Sequence, residues 1–418
     1  MSIRLPTADW NALAARTMQR CDDLARDSEE DSRLTRRFCT PALAAAHRRV
    51  RRWFDTAGLS SRVDTVANIV GSTAATCSAS HPPRKRLLMG SHLDTVPGAG
   101  RYDGILGVLI ALAVVESLQG TELPFDLEVV GFSDEEGTRY RSPYLGSRGM
   151  AGSFDMSLLD RPDRDGITLA TALQIFGCDP NEISAATYPA ETVVGFIESH
   201  IEQGPLLEAE DIPVGLVTAF AGQTRMICRF NGRTGHAGTV PMTMRSDAGL
   251  AASRFNVALN EYALSVQDLR ATMGNLRFYP GASNVIPGRA ELSIEMRHPD
   301  DAVRNAAAKW AEERAKAIAK ENGTEFEIIE QEEQPAVLTD PKLCEVLGSS
   351  ITEANFPVRR MISGAGHDAV IMAGLTPTAT LFLRNPGGIS HHADERVDEP
   401  DVAVAIEILA RMVCKLAE

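Results

Sequence analysis

Apolar and polar positions along the chain predict the strands and helices of an α/β protein. Two apolar runs of strand length, 85–94 and 126–134, end in polar or charged residues, and a helix-like segment, 104–119, lies between them. Strand, helix, strand is the order of an α/β sheet, in which ligands bind beyond the carboxyl ends of the strands. The pattern therefore predicts a ligand site at HLD and DEEG, the segments that close the two strands.

A different pattern begins near residue 212 and has the βαββαβ order of a ferredoxin-like module. Its predicted strands are 224–230, 272–278, 289–297 and 325–330, and its predicted helices are 247–262 and 300–321. An α/β pattern then returns, with a strand at 378–384 and a closing helix at about 400–416. We therefore predict a discontinuous α/β domain, 1–211 and 330–418, with a mixed sheet and helices on both faces, and an inserted α+β domain at 212–329.

Composition narrows the class of protein. The chain has 418 residues, of which 44% are hydrophobic and 23% charged, so it suits two globular domains and excludes a disordered or fibrous protein. Its net charge of −14 disfavours binding to nucleic acid or to anionic membranes. The longest apolar run, 105–115, is too short to cross a bilayer.

The cysteines and the N-terminus predict a compartment. Seven cysteines, Cys77 among them, are scattered without the spacing of a zinc or redox motif, which favours reduced thiols. The first residues read as an amphipathic acidic helix without the apolar core of a signal peptide. We expect a cytoplasmic protein.

Histidine and carboxylate residues, without cysteine, concentrate in five segments. Such a ligand set suits Zn²⁺ or Mn²⁺. One segment alone is a weak signal, since surface carboxylates and capping histidines are common, but their joint placement at strand ends predicts a metal site. The segments are GSHLDTVPG (90–98), RYDG (101–104), SDEEG (133–137), ESHIEQGP (198–205) and GGISHHADE (387–395).

Together with GHAGTVPM, ASNVIPG and SGAGHDA, these segments resemble the di-metal exopeptidase and amidohydrolase family. Within it they are most similar to the branch of allantoate amidohydrolase, N-carbamoyl-L-amino-acid hydrolase and β-ureidopropionase. The resemblance runs from about residue 45 to the C-terminus. It implies a di-metal exopeptidase-like catalytic domain and an inserted ferredoxin-like domain that serves as lid and dimerisation domain.

The resemblance also implies a metal centre. Two divalent ions, Mn²⁺ or Zn²⁺ with Co²⁺ or Ni²⁺ also accepted, are bridged by Asp103. Glu135 matches the general base, and the Asp94 carboxylate matches the group that orients His92. His391 and His392 compete for one ligand position, and the place directly after Ser390 favours His391. The implied metal ligands are His92, Asp103, Glu136, His200 and His391.

Further residues match positions that bind substrate in the family. His236 is expected to stabilise the oxyanion. Asn284 and Arg297 are expected to hold a carboxylate of the substrate, and in the family these two residues often come from the neighbouring subunit. From the residues alone, Arg297 reads as a surface arginine at a strand end and Asn284 as a turn residue. Polar pocket positions are matched by Gln203 and Arg225, and a backbone position near a bound anion by Gly366.

Three histidines have no motif around them. We expect His47, His81 and His298 to be ordinary surface or capping residues. By contrast, His367 and Asp368 lie inside SGAGHDA and are expected to be structural partners there.

The implied chemistry explains why these residue types are needed. A urea-like carbonyl is a poor electrophile, so its hydrolysis needs a strong nucleophile and stabilisation of the oxyanion. Two metals lower the pKa of a water and polarise the carbonyl, and a base such as Glu135 moves the proton. Adjacent Glu135 and Glu136 at a turn can point one to the water and one to the metal, whereas a regular strand would point them to opposite faces.

These expectations lead to a ranked set of functions. The first is hydrolysis of a ureido C–N bond of a small carboxylate, best matched by allantoate, a choice supported by GQTR, GHAGTVPM and Arg384. An N-carbamoyl-L-amino-acid hydrolase or β-ureidopropionase is second, and an aminoacylase or dipeptidase third. A non-catalytic binding protein on the same fold is the other class, disfavoured because every ligand position and Glu135 carry competent residues. We expect a homodimer without nucleic-acid or membrane partners.

Overall fold

The structure, a computed structural model, describes residues 5–74 and 84–418; Cys77 and His81 lie outside the described residues. The chain forms two compact units. The main unit contains Met1–Thr218 and Thr339–Glu418, and the inserted unit contains Ala219–Leu338. Both boundaries lie later than the expected 212 and 330. The strand Val214–Phe220 begins after 212, and the strand Glu325–Gln334 runs through 330.

The first segment of the main unit carries most of the elements that surround the predicted ligands. Its elements are α1 (Trp10–Leu24), α2 (Pro41–Thr56), β1 (Ser60–Val63), β2 (Ile69–Ser72), β3 (Arg86–His92), α3 (Ile105–Ser117), β4 (Asp126–Phe132), α4 (Leu145–Met150), α5 (Leu169–Phe176), β5 (Val193–Ile201), α6 (Leu206–Ala209) and β6 (Val214–Phe220). Short 3-10 helices lie at Met156–Asp160, Pro180–Ala186 and Ala190–Thr192.

The inserted unit has the predicted βαββαβ order, with two additions. A two-residue ribbon, β8 with β10, and a short strand, β13, lie outside the predicted elements. Its elements are β7 (Gly222–Asn231), β8 (Gly235–His236), a 3-10 helix (Met242–Met244), α7 (Ala248–Ser265), β9 (Arg270–Tyr279), β10 (Val285–Ile286), β11 (Arg289–His298), α8 (Asp301–Glu321), β12 (Glu325–Gln334) and β13 (Val337–Leu338).

The second segment of the main unit returns to α/β structure. Its elements are α9 (Pro341–Glu353), β14 (Arg360–Ser363), α10 (Asp368–Met372), β15 (Thr378–Leu383), a 3-10 helix (Pro386–Gly388) and α11 (Glu399–Leu416).

The sheet of the main unit is mixed, as predicted. Its order is β1-β2-β4-β3-β5-β15-β6, and β14 pairs with β6. The central strands β4, β3, β5 and β15 run parallel, while β2 and β6 are antiparallel to their neighbours. Because β3 and β5 are adjacent and parallel, their carboxyl ends lie at one edge of the sheet.

The apolar core explains why α3 is helical and buried. Its sequence is apolar on every side, and all but one of its residues are buried, which is the pattern of an internal helix. It packs on β3 and β5, and α1 and α11 pack against it. Alternate residues of the central strands, such as Leu87, Met89, Ile197 and Leu381, belong to this core. On the other face α10 packs against β5 and β15.

The inserted unit has a four-stranded antiparallel sheet of order β12-β7-β11-β9. Helices α7 and α8 pack on each other and on this sheet. Alternate buried residues of β7 and β11, such as Cys228 and Leu292, join alanines of both helices in a core of its own. The strand order and the two helices are those of a ferredoxin-like fold, as the sequence predicts.

Two of the histidines expected at the surface are buried. His298 is 7% exposed, and its ring nitrogens face the carbonyl oxygens of Asp300 and Gln267. His47 is 5% exposed, on the inner side of α2. Both expectations were wrong, because the helix and strand that carry these residues turn them towards packed neighbours. Within the described residues, every helix is too short or too polar to cross a bilayer.

Candidate metal centre

The centre begins where β3 ends. His92 is the last residue of β3, and its Nε2 lies 3.5 Å from Asp103 Oδ1. Asp103 precedes α3, and Gly104 between them has a left-handed φ of 68°. A Cβ at Gly104 would lie 2.3 Å from His92 Nε2, so only glycine allows the carboxylate and the imidazole to approach.

His200, near the end of β5, faces the same carboxylate oxygen. Its Nε2 lies 3.0 Å from Asp103 Oδ1, and its Nδ1 lies 2.9 Å from the carbonyl oxygen of Ile201. A carbonyl only accepts, so Nδ1 carries the proton and the Nε2 of the neutral ring presents a lone pair. We name His92, Asp103 and His200 the buried cluster.

A second cluster uses the other oxygen of Asp103. His391 Nε2 lies 3.1 Å from Asp103 Oδ2 and 3.5 Å from Glu136 Oε1. His392 is exposed, and its Nδ1 lies 3.5 Å from Asp394 instead. The structure thus brings His391, and not His392, to Asp103. We name Asp103, Glu136 and His391 the open cluster, because the His391 side chain is 50% exposed.

The donor chemistry of both clusters fits cations. His92 also holds its Nδ1 against a backbone carbonyl, that of Asp94 at 3.0 Å, so lone pairs of two imidazoles face one carboxylate oxygen. Electron pairs that face each other at such distances are stabilised by a positive ion between them. The ligand atoms of each cluster lie within 4.8 Å of one another. Nitrogen and carboxylate oxygen donors suit Zn²⁺ and Mn²⁺, so the residues fit two divalent ions that share Asp103.

Asp94 contacts the turn that follows β4. Its carboxylate accepts the backbone N–H groups of Glu135 at 2.9 Å and Glu136 at 3.1 Å. Its Oδ1 lies 3.6 Å from His92 Nδ1, farther than its own carbonyl oxygen does. The carboxylate thus holds the turn after β4, and the carbonyl of the same residue faces the His92 ring. That the carboxylate also orients His92 stays a prediction.

Burial and neighbouring charges set the electrostatics of this turn. Burial raises the pKa of Glu135 well above its usual range; His92 opposes this shift and Glu136 adds to it. Burial, followed by the charge of Asp103, raises the pKa of Glu136 to about 7. Burial would raise the pKa of Asp103. The contacts of Asp103 with His200, His391 and His92 outweigh burial, so its pKa is lowered well below the usual value. Glu135 is thus a carboxyl group suited to accept a proton.

Gln203 contacts the bridging carboxylate. Its Nε2 donates to Asp103 Oδ2 at 3.1 Å and lies 3.0 Å from Ser390 Oγ. Its backbone N–H donates to Asn385. The sequence placed Gln203 among pocket residues, and the structure shows that it supports a predicted metal ligand.

Glu395 is a site residue that the sequence analysis missed. Its Oε1 accepts the backbone N–H groups of Tyr102 at 2.8 Å and Asp103 at 3.1 Å, and the residue is buried. These bonds tie the loop that carries Asp103 to the segment that carries His391. The available signal was its place in SHHADE, four residues after His391.

The segment SGAGHDA packs beneath the buried cluster. The ring of His367 lies 4.3 Å, centroid to centroid, from that of His200, and Asp368 is buried at the start of α10. Gly366 lies against Tyr144, where a Cβ would come within 2.0 Å of the hydroxyl oxygen. Glycine is therefore required there by the close approach of Tyr144.

The inserted unit brings its predicted residues together in two pairs. The β8 and β10 ribbon joins His236 to the segment of Asn284, whose carbonyl oxygen accepts the N–H of Ala237 at 2.9 Å. Arg225 and Arg297, on neighbouring strands β7 and β11, both donate to Glu295, at 2.7 and 2.6 Å. Both His236 and Asn284 are exposed.

The ring of His236 has a defined tautomer. The N–H of Gly238 donates to its Nδ1 at 3.1 Å. Since Nδ1 accepts, the neutral ring carries its proton on Nε2. His236 therefore offers one N–H donor at the surface of the inserted unit.

Arg384 forms ion pairs with two aspartates. Its guanidinium pairs with both carboxylate oxygens of Asp401, at 2.8 and 3.0 Å, and with Asp211 at 2.6 Å. It therefore holds the segment just after β15 to α11. That Arg384 is a sign of allantoate stays a prediction.

Two histidine and carboxylate clusters at the strand ends of an α/β unit define a hydrolase of the metal-dependent exopeptidase class. Residues 88–415 match the family model described as peptidase family M20/M25/M40, and the chain belongs to that family. It is 36% identical to allantoate deiminase of Arabidopsis thaliana over 92% of this chain and 79% of that protein. It is 35% identical to N-carbamoyl-L-amino acid amidohydrolase of Geobacillus stearothermophilus, over 87% and 88%.

A solved structure supports the same assignment. A crystal structure of an amidase of the hydantoinase/carbamoylase family from Burkholderia multivorans superposes with a TM-score of 0.89 at 31% identity, over 99% of this chain and 98% of that one. The fold class and the family resemblance are confirmed. The protein is an amidohydrolase that acts on C–N bonds other than peptide bonds.

Proposed function

We propose that the protein hydrolyses a ureido C–N bond of allantoate, giving ureidoglycine, ammonia and carbon dioxide. The observation that carries the proposal is the position of Asp103, with one oxygen towards His92 and His200 and the other towards His391. Allantoate is preferred because the relative named allantoate deiminase is 36% identical over 92% of the chain.

The chemistry is divided between the proposed metals and the side chains. Two divalent ions, Mn²⁺ or Zn²⁺, would be held by His92, Asp103, Glu136, His200 and His391, and would polarise the substrate carbonyl and lower the pKa of a water. Glu135 takes a proton from the attacking water and delivers it to the leaving nitrogen. Burial raises the pKa of Glu135, which supports this role because a higher pKa makes the carboxylate a stronger base.

Residues of the inserted unit supply substrate contacts. His236 donates its Nε2–H to the developing oxyanion, a role supported by the tautomer that Gly238 imposes. Asn284 and Arg297 bind the substrate carboxylate, for which the planar guanidinium is a matched donor. Arg225 adds positive charge beside Arg297, since both lie at Glu295. Such local charge is needed because the protein as a whole carries −14.

We also propose a homodimer in which the inserted units pair and complete each other's sites. Two features support it. Strand β9 is an edge of its sheet, and α7 exposes Leu250, Val257 and Leu264 at intervals of seven residues along one face. A stripe of exposed apolar side chains next to an open strand edge is typical of a protein interface.

A cytoplasmic location is proposed from the cysteines. Six of them, Cys21, Cys39, Cys178, Cys228, Cys344 and Cys414, are free thiols in the part of the chain that the structure describes. Free, mostly buried thiols are typical of proteins in a reducing compartment.

The substrate is tested by turnover. Protein loaded with Mn²⁺ or with Zn²⁺ is assayed with allantoate and with a panel of N-carbamoyl-L-amino acids, using ammonia release as the readout. We expect kcat/KM for allantoate to exceed that for every panel member by about 100-fold, because unpaired polar groups reject the wrong ureide. Glu135→Gln protein gives the background rate.

The second candidate is an N-carbamoyl-L-amino-acid hydrolase, favoured by the 35% identity to the Geobacillus stearothermophilus enzyme. The reverse order of kcat/KM values would establish it. Absence of allantoate turnover with both metals would remove the first proposal.

A further inference from the structure

His47 is a buried polar residue for which neither the fold nor the metal centre provides a partner. It lies on α2 and is 5% exposed, yet neither ring nitrogen has a hydrogen-bond partner among the described residues. Burial of a polar group without a hydrogen-bond partner is unfavourable. Such groups are few in native proteins, and each points to a water or ligand that completes it.

A cavity of about 290 Å³ lies beside His47. Its walls come from α2, from the turn after β1 and from the end of α5, all within the main unit. Apolar surface is supplied by Ala44, Val63 and Phe176, and the Phe176 ring meets the His47 ring edge-on at 5.3 Å. No residue of the metal centre lines it. We name it the α2 cavity.

Two guanidinium groups lie at the mouth of the α2 cavity. Arg48 and Arg51 are exposed, line the cavity and lie one turn apart on the same side of α2 as His47. No described carboxylate forms an ion pair with either guanidinium, although the chain carries an excess of carboxylates. Two arginines without an acidic partner at a cavity mouth are suited to an anion.

The two carboxylates of the cavity wall accept hydrogen bonds from their own turns. Asp64 accepts the N–H groups of Val66 and Asn68 and the Asn68 amide, and Asp179 accepts from Asn181. Both oxygens of Asp64 and the Oδ1 of Asp179 thus accept local donors, and the guanidinium groups remain available to a ligand.

His47 supplies a neutral polar contact. Burial lowers its pKa to about 3, and the charges of Arg36 and Arg51 add to the effect. At neutral pH the ring therefore offers one N–H donor and one acceptor.

We propose that the α2 cavity binds a small organic carboxylate. Arg48 and Arg51 pair with the carboxylate, Val63 and Phe176 contact an apolar body, and His47 hydrogen-bonds to a polar group at its far end. The volume is at the lower end of the range for ligand sites, so the occupant is about the size of one aromatic ring with two substituents.

The probe is 4-hydroxybenzoate, which has a carboxylate, a planar apolar body and a distal hydroxyl. Its binding to full-length, metal-loaded protein is measured by calorimetry, and ¹³C-histidine NMR follows the His47 signal, which is assigned by its loss in His47→Gln. We expect saturable binding at one site per chain and a shift of the His47 signal. The uncharged 4-hydroxybenzamide should bind about tenfold more weakly or less, because it cannot pair with the arginines.

The matched variants are Arg48→Gln combined with Arg51→Gln, and Arg52→Gln as control. All three arginines are exposed on α2, but Arg52 does not line the cavity. The double variant should lose about tenfold or more in affinity, and Arg52→Gln should bind like the wild type. His47→Phe, which removes both ring nitrogens, should also weaken binding.

Four results would overturn the proposal. Equal affinity of the double variant and Arg52→Gln would do so, as would binding lost only in Arg297→Ala, which would place the probe in the substrate site. No saturable binding up to about 10 mM would mean that the cavity holds only water. Inorganic phosphate bound as tightly as the probe would contradict an organic ligand.

Discussion

The buried cluster and the open cluster share Asp103 but are built in different ways. His92 and His200 lie at the ends of the adjacent parallel strands β3 and β5, and their side chains are 2% and 1% exposed. His391 lies on a loop with a left-handed φ of 57°, and its side chain is 50% exposed. One cluster is thus held by a sheet, and the other depends on a loop.

The two clusters also differ in how firmly their ligand side chains are held before a metal binds. In the buried cluster each imidazole holds its Nδ1 against a backbone carbonyl, which sets the orientation of the ring before any metal arrives. In the open cluster Glu136 follows a turn and His391 is reached by solvent. We infer that the buried cluster binds its ion more tightly, and that the open cluster is the side from which substrate and water enter.

The largest expected effect comes from Glu135→Gln, since Glu135 lies between the two clusters, beside His92 and Glu136. The change removes the base but keeps the shape of the side chain. We expect kcat to fall by about 10³–10⁴-fold while both ions stay bound. Steady-state kinetics and metal analysis of the same preparation check this. A rate within tenfold of the wild type would exclude Glu135 as the base.

The next effect compares His200→Ala with His391→Ala. Loss of His200 should empty the buried cluster and lower metal affinity there by about 100-fold or more, whereas loss of His391 should leave one ion per chain. Metal content after dialysis against a graded series of chelator concentrations measures both.

His392→Ala is the control for this comparison, because His392 is exposed and lies next to His391 without contacting Asp103. Its metal content and activity should match those of the wild type. If the ion left in His200→Ala resists the chelator better than the ion left in His391→Ala, the inferred order of affinities is reversed.

The smallest expected effect comes from Glu395→Gln. Glu395 accepts two backbone N–H groups of the Asp103 loop, and the amide keeps one acceptor while losing the charge. We expect about a tenfold fall in metal affinity with the fold intact. Glu399→Gln, at an exposed position of α11, serves as the control. Equal metal affinity in the two variants would show that Glu395 does not position Asp103.

Much of the fold follows from local pattern. Strand β3, helix α3 and strand β4 were predictable because polar residues separate apolar runs of strand and helix length. The βαββαβ order of the inserted unit was predictable for the same reason. The ribbon of β8 and β10 was not, since two-residue strands leave no periodicity. The unit boundaries differ from the predicted ones because β6 begins only after 212 and β12 runs through 330.

The sequence predicted which residues form the site better than it predicted how they contact each other. HxD pointed to Asp94, but only the fold shows that its carboxylate binds the N–H groups of Glu135 and Glu136. Nothing local marks Glu395 as a partner of Asp103, and nothing local separates His391 from His392 without the family resemblance. A helix pattern also does not reveal that His47 lacks a partner.

The sequence by itself determined which segments carry ligand-forming side chains and that they follow strands, because strand period and chain order are local properties. The tertiary structure decided which oxygen of Asp103 faces which imidazole. His391 and Asp103 are far apart in sequence, and the loop geometry that brings them to 3.1 Å depends on β15, α11 and the Glu395 contacts together. Distances of that kind arise from packing of the whole unit, since no single segment contains the atoms that set them.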